Sequence, residues 1–474
     1  MESFPEEPLS RSAADGFGYL LADINQTLCG GRYTIVRKLG WGPRSSTWLV
    51  CEKDGGDLDT CYSAVQIFTA ARSKEVESRL VPILQKMICY ADPSTVPCLR
   101  STFWESSIHG EHVCLVMKPH GLPFSDVLRD AKSRQAGLPV LIVQFTTSEI
   151  VNVLDLLHSK KVRVMHAGVK LENLVLGAET SAHALQTHIS ENPPSETQIV
   201  DGFPVVCSQP LANDPVDWTD PMRWVVGCWM LVLAGFGHAQ GAPYTPESGF
   251  DYSSAPETLL ENPTCGFATD IWMLGCLIFH LLTGSPLLSS TGTPSERLGE
   301  IRDVLQDRIP NSWLGDATVQ ALPKEDPSTQ SLEQRLKQNL KEDEASAAYR
   351  FLRKCLVLVW MLGCLVFQLL TGRSLLTSTG TPSERLGKIR DILQDWIPSS
   401  WLGDATVQAL PKEDPSTQSL EQQLKQNLTK DEVSAAYRFL RKCLVIDPAG
   451  RTSSRQLIRD EWVREGGQCS CGFK

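Results

Sequence analysis

The chain reads as an α+β protein in which a small β-rich region precedes a larger helical one. Three observations predict this. Tyr33 to Ile67 holds three strand-like runs rich in Val, Ile, Tyr and Trp. Leu141 to Lys160 has the apolar spacing of an amphipathic helix. The strand patterns come first along the chain and the helical patterns later, the order expected of a sheet region joined to a helical region. With 474 residues, 42% of them apolar, the chain has ample material for such a core and is long for one domain.

The elements follow in order. Residues 1–30 read as a polar arm. Its start, Met1-Glu2-Ser3-Phe4-Pro5-Glu6-Glu7-Pro8, lacks the basic and apolar regions of a secretory signal. The strand-like runs are broken by Gly40-Trp41-Gly42-Pro43 and by Asp54-Gly55-Gly56-Asp57, both turn signals. Lys74 to Ile88 has helical spacing. Val113 to Met117 is an apolar strand, and Lys118-Pro119-His120-Gly121 is turn-like. Thr180 to Asp217 is rich in Ser, Pro, Asn and Thr and reads as a surface insertion. Two apolar runs, Trp224 to Phe236 and Cys355 to Leu370, are too short or too interrupted to cross a bilayer and read as core. The fifteen scattered cysteines read as reduced, buried thiols of an intracellular protein of the cytoplasm or nucleus. Cys469 and Cys471 form a pair without a second pair nearby, so a zinc site is not indicated. A net charge of −10 argues against a nonspecific nucleic-acid binder and is compatible with a basic protein partner.

A tandem repeat interrupts the helical part. Residues 271–358 reappear as 359–446, with 73 of 88 positions identical. Ser312 to Gln334 matches Ser400 to Gln422 without a change. Two copies are too few for a solenoid and point to a recent internal duplication or to a faulty gene model. Asp270 precedes only the first copy, whereas Asp447 and Arg451 follow only the second. The expectation is a hybrid core, with an early helix from copy one and the last helices from copy two. A spare apolar helix, Val359 to Leu370, would then have to pack, dimerise or destabilise the chain.

The motifs carry a resemblance. Leu39-Gly40-Trp41-Gly42-Pro43-Arg44-Ser45-Ser46-Thr47-Trp48 places two glycines between strands, where backbone amides approach phosphates closely. Together with Arg32 to Leu39, this closely resembles the start of the SR-protein kinases, fungal type, which phosphorylate Arg/Ser-rich splicing factors. The resemblance continues through Tyr62-Ser63-Ala64-Val65-Gln66-Ile67, the hinge Val113 to Gly121 and the catalytic loop Met165-His166-Ala167-Gly168-Val169-Lys170-Leu171-Glu172-Asn173. It extends to the metal loop Val232 to Gly237, Ala255-Pro256-Glu257, Asp270-Ile271-Trp272, and Asp447-Pro448 with Arg451. It implies a bilobal protein-kinase fold. The expected layout is an arm (1–30), an N-lobe (31–121), a C-lobe (122–465) with an insertion at 177–222 and tandem copies at 271–358 and 359–446, and a tail (466–474).

The resemblance also implies which residues handle phosphate, and there the chain departs from it. The third-strand lysine position is Gln66. The helix glutamate position aligns with Leu80, with Glu77 one turn earlier. The base aspartate position is Gly168 and the metal aspartate position is Gly235. Lys170 remains for a γ-phosphate and Asn173 for a second metal. Gly40, Gly42 and Ser45 form the phosphate loop, and the Lys118 carbonyl and His120 amide would read adenine. Arg44 is a candidate substitute for the lost lysine; Lys38 precedes the loop. Losing a base or a positioned charge removes ~10²–10⁴ of rate each. No cofactor is firmly implied: ATP is left with weak binding, and magnesium lacks its usual carboxylate. Glu257 with Arg451 would form a buried ion pair, and Asp270 would hold the catalytic loop. The expectation is a catalytically impaired, pseudokinase-like protein that binds or scaffolds protein partners, Arg/Ser-rich proteins or active kinases, with dimerisation possible through the duplicated segment. The alternatives are an active Ser/Thr kinase with relocated chemistry and a decaying duplicate without a stable role.

Overall fold

The computed structural model describes residues 5–52, 61–90, 95–132, 137–177, 182–193, 196–211, 230–288, 291–305, 316–324, 326, 329–356 and 454–459. Arg451, the second repeat copy, the spare helix and the tail lie outside these residues. The described chain falls into two compact units. One is built from residues up to 248 together with 265–285, the other from 249–264 and from 286 onward.

The first unit begins with a six-stranded antiparallel sheet, in the order β1 (Thr27–Leu28), β2 (Tyr33–Gly42), β3 (Ser45–Glu52), β4 (Cys61–Phe68), β6 (Gly110–Met117), β5 (Leu99–Ser107). Alternation puts Ile35, Trp48, Val50, Val65, Ile67, Cys114 and Val116 on one face. Leu20, Leu28 and Val206 cover that face. The opposite face carries Leu49, Tyr62, Val36 and Leu39. Two register shifts in β2, between Ile35 and Arg37 and between Lys38 and Gly40, let both Val36 and Leu39 reach it.

The expected Lys74–Ile88 helix is longer at its start. It comprises α1 (Ala70–Glu75), a π-helical turn (Val76–Leu80) and α2 (Val81–Ile88). Ser73 Oγ fixes it to the sheet by accepting from Val113 N at 2.9 Å. Strand β7 (His120–Pro123) follows, then α3 (Phe124–Lys132) and α4 (Val140–His158). Helix α4 has the length and apolar content of a membrane span, but Ile142, Val143, Ile150, Val151, Leu154 and Leu157 are buried inside the unit and it packs against α6 (Phe267–Thr283). It is a core helix.

Two expectations need correction here. The segment 1–30 is not simply a polar arm: Leu9, Tyr19, Leu20 and Leu28 are buried, and so are Glu6 and Glu7. The insertion is not only surface loop. It contains α5 (Ala182–Glu191) and a hairpin of β10 (Thr197–Val200) and β11 (Phe203–Val206). Leu185, Ile189 and Leu211 pack on Leu39 and Leu49. Val200 and Val205 pack with Leu9, Tyr19, Phe17 and Trp41. Arm and insertion therefore finish the two faces of the sheet, removing apolar side chains from water that the strands alone would expose.

In the second unit, α7 (Pro294–Leu305), α8 (Ala317–Gln320), α9 (Leu332–Lys337) and α10 (Glu342–Leu356) are all from repeat copy one. Leu298, Ile301, Val304, Val319, Leu332, Leu336, Phe351 and Leu352 are buried. Asp316 caps α8 by accepting from Thr318 N at 2.9 Å, and Ser331 with Gln334 forms a capping box on α9. Copy one is thus folded as helices through Leu356.

Candidate functional site

The ladder between β9 (Leu174–Gly177) and β12 (Leu231–Leu233) assembles the site. Leu174 pairs with Leu233, which sets Asn173 beside the loop that follows β12; Ala234 N donates to Asn173 O at 2.8 Å. The preceding loop leaves β8 (Val164–Met165), which is paired with β13 (Gln240–Gly241). Residues distant in sequence, 165–173 and 234–241, are held together by two short antiparallel ladders.

The carboxylate of Asp270, on α6, is fully buried. Its oxygens accept from the backbone N–H of His166 (2.8 Å) and of Ala167 (2.7 Å), and Oδ2 lies 2.9 Å from His158 Nε2. Ala167 has φ 56, a left-handed conformation that costs a non-glycine residue about 1–2 kcal/mol. The two hydrogen bonds to Asp270 hold it there. His166 is fully buried against Phe236, ring centroids 4.4 Å apart, and burial pushes its imidazole down to about 4. It is therefore neutral, and its Nδ1 accepts from Gly168 N at 3.0 Å.

Around Gly168 and Gly235 the space is filled by Asn173. Its Nδ2 donates to Gly168 O at 2.8 Å. A Cβ on Gly168 would lie 2.9 Å from that Nδ2 and 2.9 Å from Gly235 O. A Cβ on Gly235, whose φ is 78, would land on the Asn173 carboxamide itself. The residues present therefore do not fit a metal ion held as the resemblance implies. The carboxylate position is a glycine, and the amide that could have been a second ligand is turned onto a carbonyl. Among the described residues no cluster of three His, Cys, Asp or Glu side chains is placed to hold a metal. Lys170 N donates to Gly168 O at 2.8 Å, and its carbonyl accepts from Asn173 N at 3.1 Å.

In the sheet, Gln66 Nε2 donates to Ser45 Oγ at 2.8 Å, so the lysine position is tied to the glycine-rich loop rather than turned to a ligand. Leu80 is buried, and Glu77 accepts from Trp104 Nε1 at 3.2 Å, away from Gln66's partner. Lys38 and Arg44 are both held by the chain's own acceptors. Lys38 is fully buried: its Nζ bonds Glu6 (2.6 Å), Glu7 and the Val206 carbonyl (2.8 Å). Arg44 donates to Gly237 O (3.0 Å) and to Glu247 (3.1 Å). Gly40 and Gly42 end β2, and Gly42 O accepts from Tyr19 Oη at 2.8 Å. At the hinge, burial and the Lys118 ammonium push the His120 imidazole down to about 4. Glu257 O accepts from Thr264 N at 3.0 Å; its expected partner Arg451 is not among the described residues. The roles of Glu6, Glu7, Arg79, His238 and Glu247 were missed from the sequence, because each depends on a contact with no local signature.

No protein-family model matches the chain. Individual proteins do. It is 26% identical over 277 residues to the Serine/threonine-protein kinase SRPK of Physarum polycephalum, covering 54% of this chain and 61% of that protein. It is 33% identical over 167 residues to SRSF protein kinase 3 of Mus musculus, covering 34% of this chain and 28% of the relative. It is 28% identical over 165 residues to the Serine/threonine-protein kinase spk-1 of Caenorhabditis elegans, covering 34% and 16%. The chain thus spans less than two thirds of the relatives it matches. A β-rich N-terminal region and helical elements after it make this a bilobal protein-kinase fold. Within that class the chain is SRPK-like.

Proposed function

We propose that this chain is a non-catalytic, SRPK-like binding protein, and that its partners are Arg/Ser-rich segments or the proteins that active relatives engage. The observation that carries the reading is the Asn173 carboxamide, which fills the space between Gly168 and Gly235 and bonds to Gly168 O. Phosphoryl transfer is positioning plus charge stabilisation, and here the positions of base and metal ligand are occupied by the chain's own packing. The cation side supports the same reading. Gln66 is neutral and bonded to Ser45, while Lys38 and Arg44, the two cations near the glycine-rich loop, are held by carboxylates. The frame around Asp270 is meanwhile well made, as a binding scaffold requires. The name of SRSF protein kinase 3 and the net charge of −10 support an Arg/Ser-rich ligand and an intracellular setting.

Fluorescence anisotropy with an Arg/Ser-repeat peptide tests this. The expected result is saturable, salt-sensitive binding, with the peptide's mass unchanged after incubation with ATP and magnesium. Absence of binding, or a peptide that has gained phosphate, overturns it.

A further inference from the structure

The tip of the glycine-rich loop is tied down by Gly237 of the loop after β12 and by Arg79, His238 and Glu247, which lie outside the motifs. Arg44 donates from Nη1 to Gly237 O (3.0 Å) and from Nη2 to Glu247 Oε2 (3.1 Å). Arg79, on the π-helical turn, donates to the same carbonyl (2.8 Å) and to Glu247 Oε1 (2.9 Å), and is steadied by Glu75 at 2.8 Å. His238 Nδ1 lies 2.7 Å from Glu247 Oε2. One carboxylate thus gathers three side chains from the glycine-rich loop, the helix beside the sheet and the turn after Gly235.

From this we infer that Glu247 is an internal anion that locks the glycine-rich loop down onto the Phe236–His238 turn, so that the loop is held in place without nucleotide. A carboxylate has four lone-pair sites on two oxygens, and here they are shared between two guanidinium groups and an imidazole. Such charge-assisted bonds are about twice as strong as neutral ones. The Glu247 link adds to holds the loop already has, Tyr19 Oη on Gly42 O (2.8 Å) and Thr69 N on Arg44 O (2.9 Å), and it works where Gly40 and Gly42 leave open space on the Cβ side. Arg44, between Gly42 and Ser45, is also the loop's own cation and the candidate to meet a phosphate. Glu247 and a nucleotide therefore compete for one guanidinium, and the carboxylate is always present. Because Arg44 and Arg79 share both acceptors, freeing one end loosens the other. The inference stands apart from the proposed function, since an active or an inactive chain could carry such a lock.

Hydrogen exchange of the full chain tests it. Glu247→Gln keeps the shape of the side chain and removes the charge; Arg44→Met removes the loop's own contact at a part-buried position, so it carries the test if the first variant folds poorly. Glu247→Gln is expected to speed exchange of the amides in 40–46 and 76–84 by about tenfold, the size of one charge-assisted bond. Arg44→Met should act most strongly on 40–46 and, through the shared acceptors, to a smaller degree on 76–84. The double variant should add little at 40–46 beyond Glu247→Gln, because both remove the same link. Millimolar ATP should leave wild-type exchange unchanged. Rates at 40–46 within twofold of wild type in both folded single variants, additive effects in the double variant, or strong protection of 40–46 by ATP in the wild type would each overturn the lock.

Discussion

Placing an acid at residue 235, where the resemblance implies a metal ligand, should damage this protein. Gly235 has φ 78, so any side chain there costs about 1 kcal/mol in backbone conformation, even for the relatively tolerant aspartate. Its Cβ would land on the Asn173 carboxamide. Pushing that group aside breaks its 2.8 Å bond to Gly168 O, worth about 1 kcal/mol, and crowding in a packed site adds roughly 1–3 kcal/mol. The expected loss for Gly235→Asp is about 3–5 kcal/mol, read by urea unfolding with circular dichroism. On the proposed non-catalytic reading no transfer should appear, because Gln66 is neutral and Gly168 has no side chain. A variant within ~1 kcal/mol of wild type that also gains magnesium-dependent phosphate transfer would refute the reasoning.

Two further outcomes follow from buried groups. Asp270→Ala leaves the His166 and Ala167 amides without their acceptor in a fully buried place, so urea unfolding should show a loss of about 3–5 kcal/mol; a change below ~1 kcal/mol would contradict the role given to this carboxylate. The imidazoles of His166 and His120 are both pushed from 6.5 to about 4 by burial. Each is neutral when folded but takes a proton below 6.5 when unfolded, so its contribution is present above 6.5 and is lost as pH falls from 6.5 to about 4. At pH 5 each should have lost about 2 kcal/mol relative to pH 7, and His166→Asn should flatten the stability profile over that window if it folds like the wild type.

Much of the fold was legible because its signals are local. The glycine pair and the β-rich runs before it and after it each sit within a dozen residues, whereas His120 and Gly121, expected in a turn, open strand β7. That Gln66, Gly168 and Gly235 stand where the resemblance expects a lysine and two aspartates remains an expectation from the sequence. What was not legible is what replaces them. Asn173 turns inward only because the β9–β12 ladder sets it against Gly235, and no short window contains both. Glu6 and Glu7 read as solvated charges in a polar arm, yet they are buried because Lys38, with Glu6 lying 32 positions away from it, is buried with them. Glu247 lies 203 positions from Arg44. The irregular spacing of Leu9, Tyr19 and Leu20 has neither the helical nor the strand period, so their burial against the hairpin left no pattern to find.

The central claim is that the chain binds without transferring phosphate. Its most direct test is the steady-state rate of phosphate incorporation into an Arg/Ser-repeat peptide by the purified chain with ATP and magnesium, against the same chain carrying Lys170→Ala. Ordinary kinases turn over at about 1–100 per second, and the missing base and charge predict a rate below ~10⁻³ per second, the same for both proteins. A rate above ~0.1 per second that is lost in Lys170→Ala would contradict the claim.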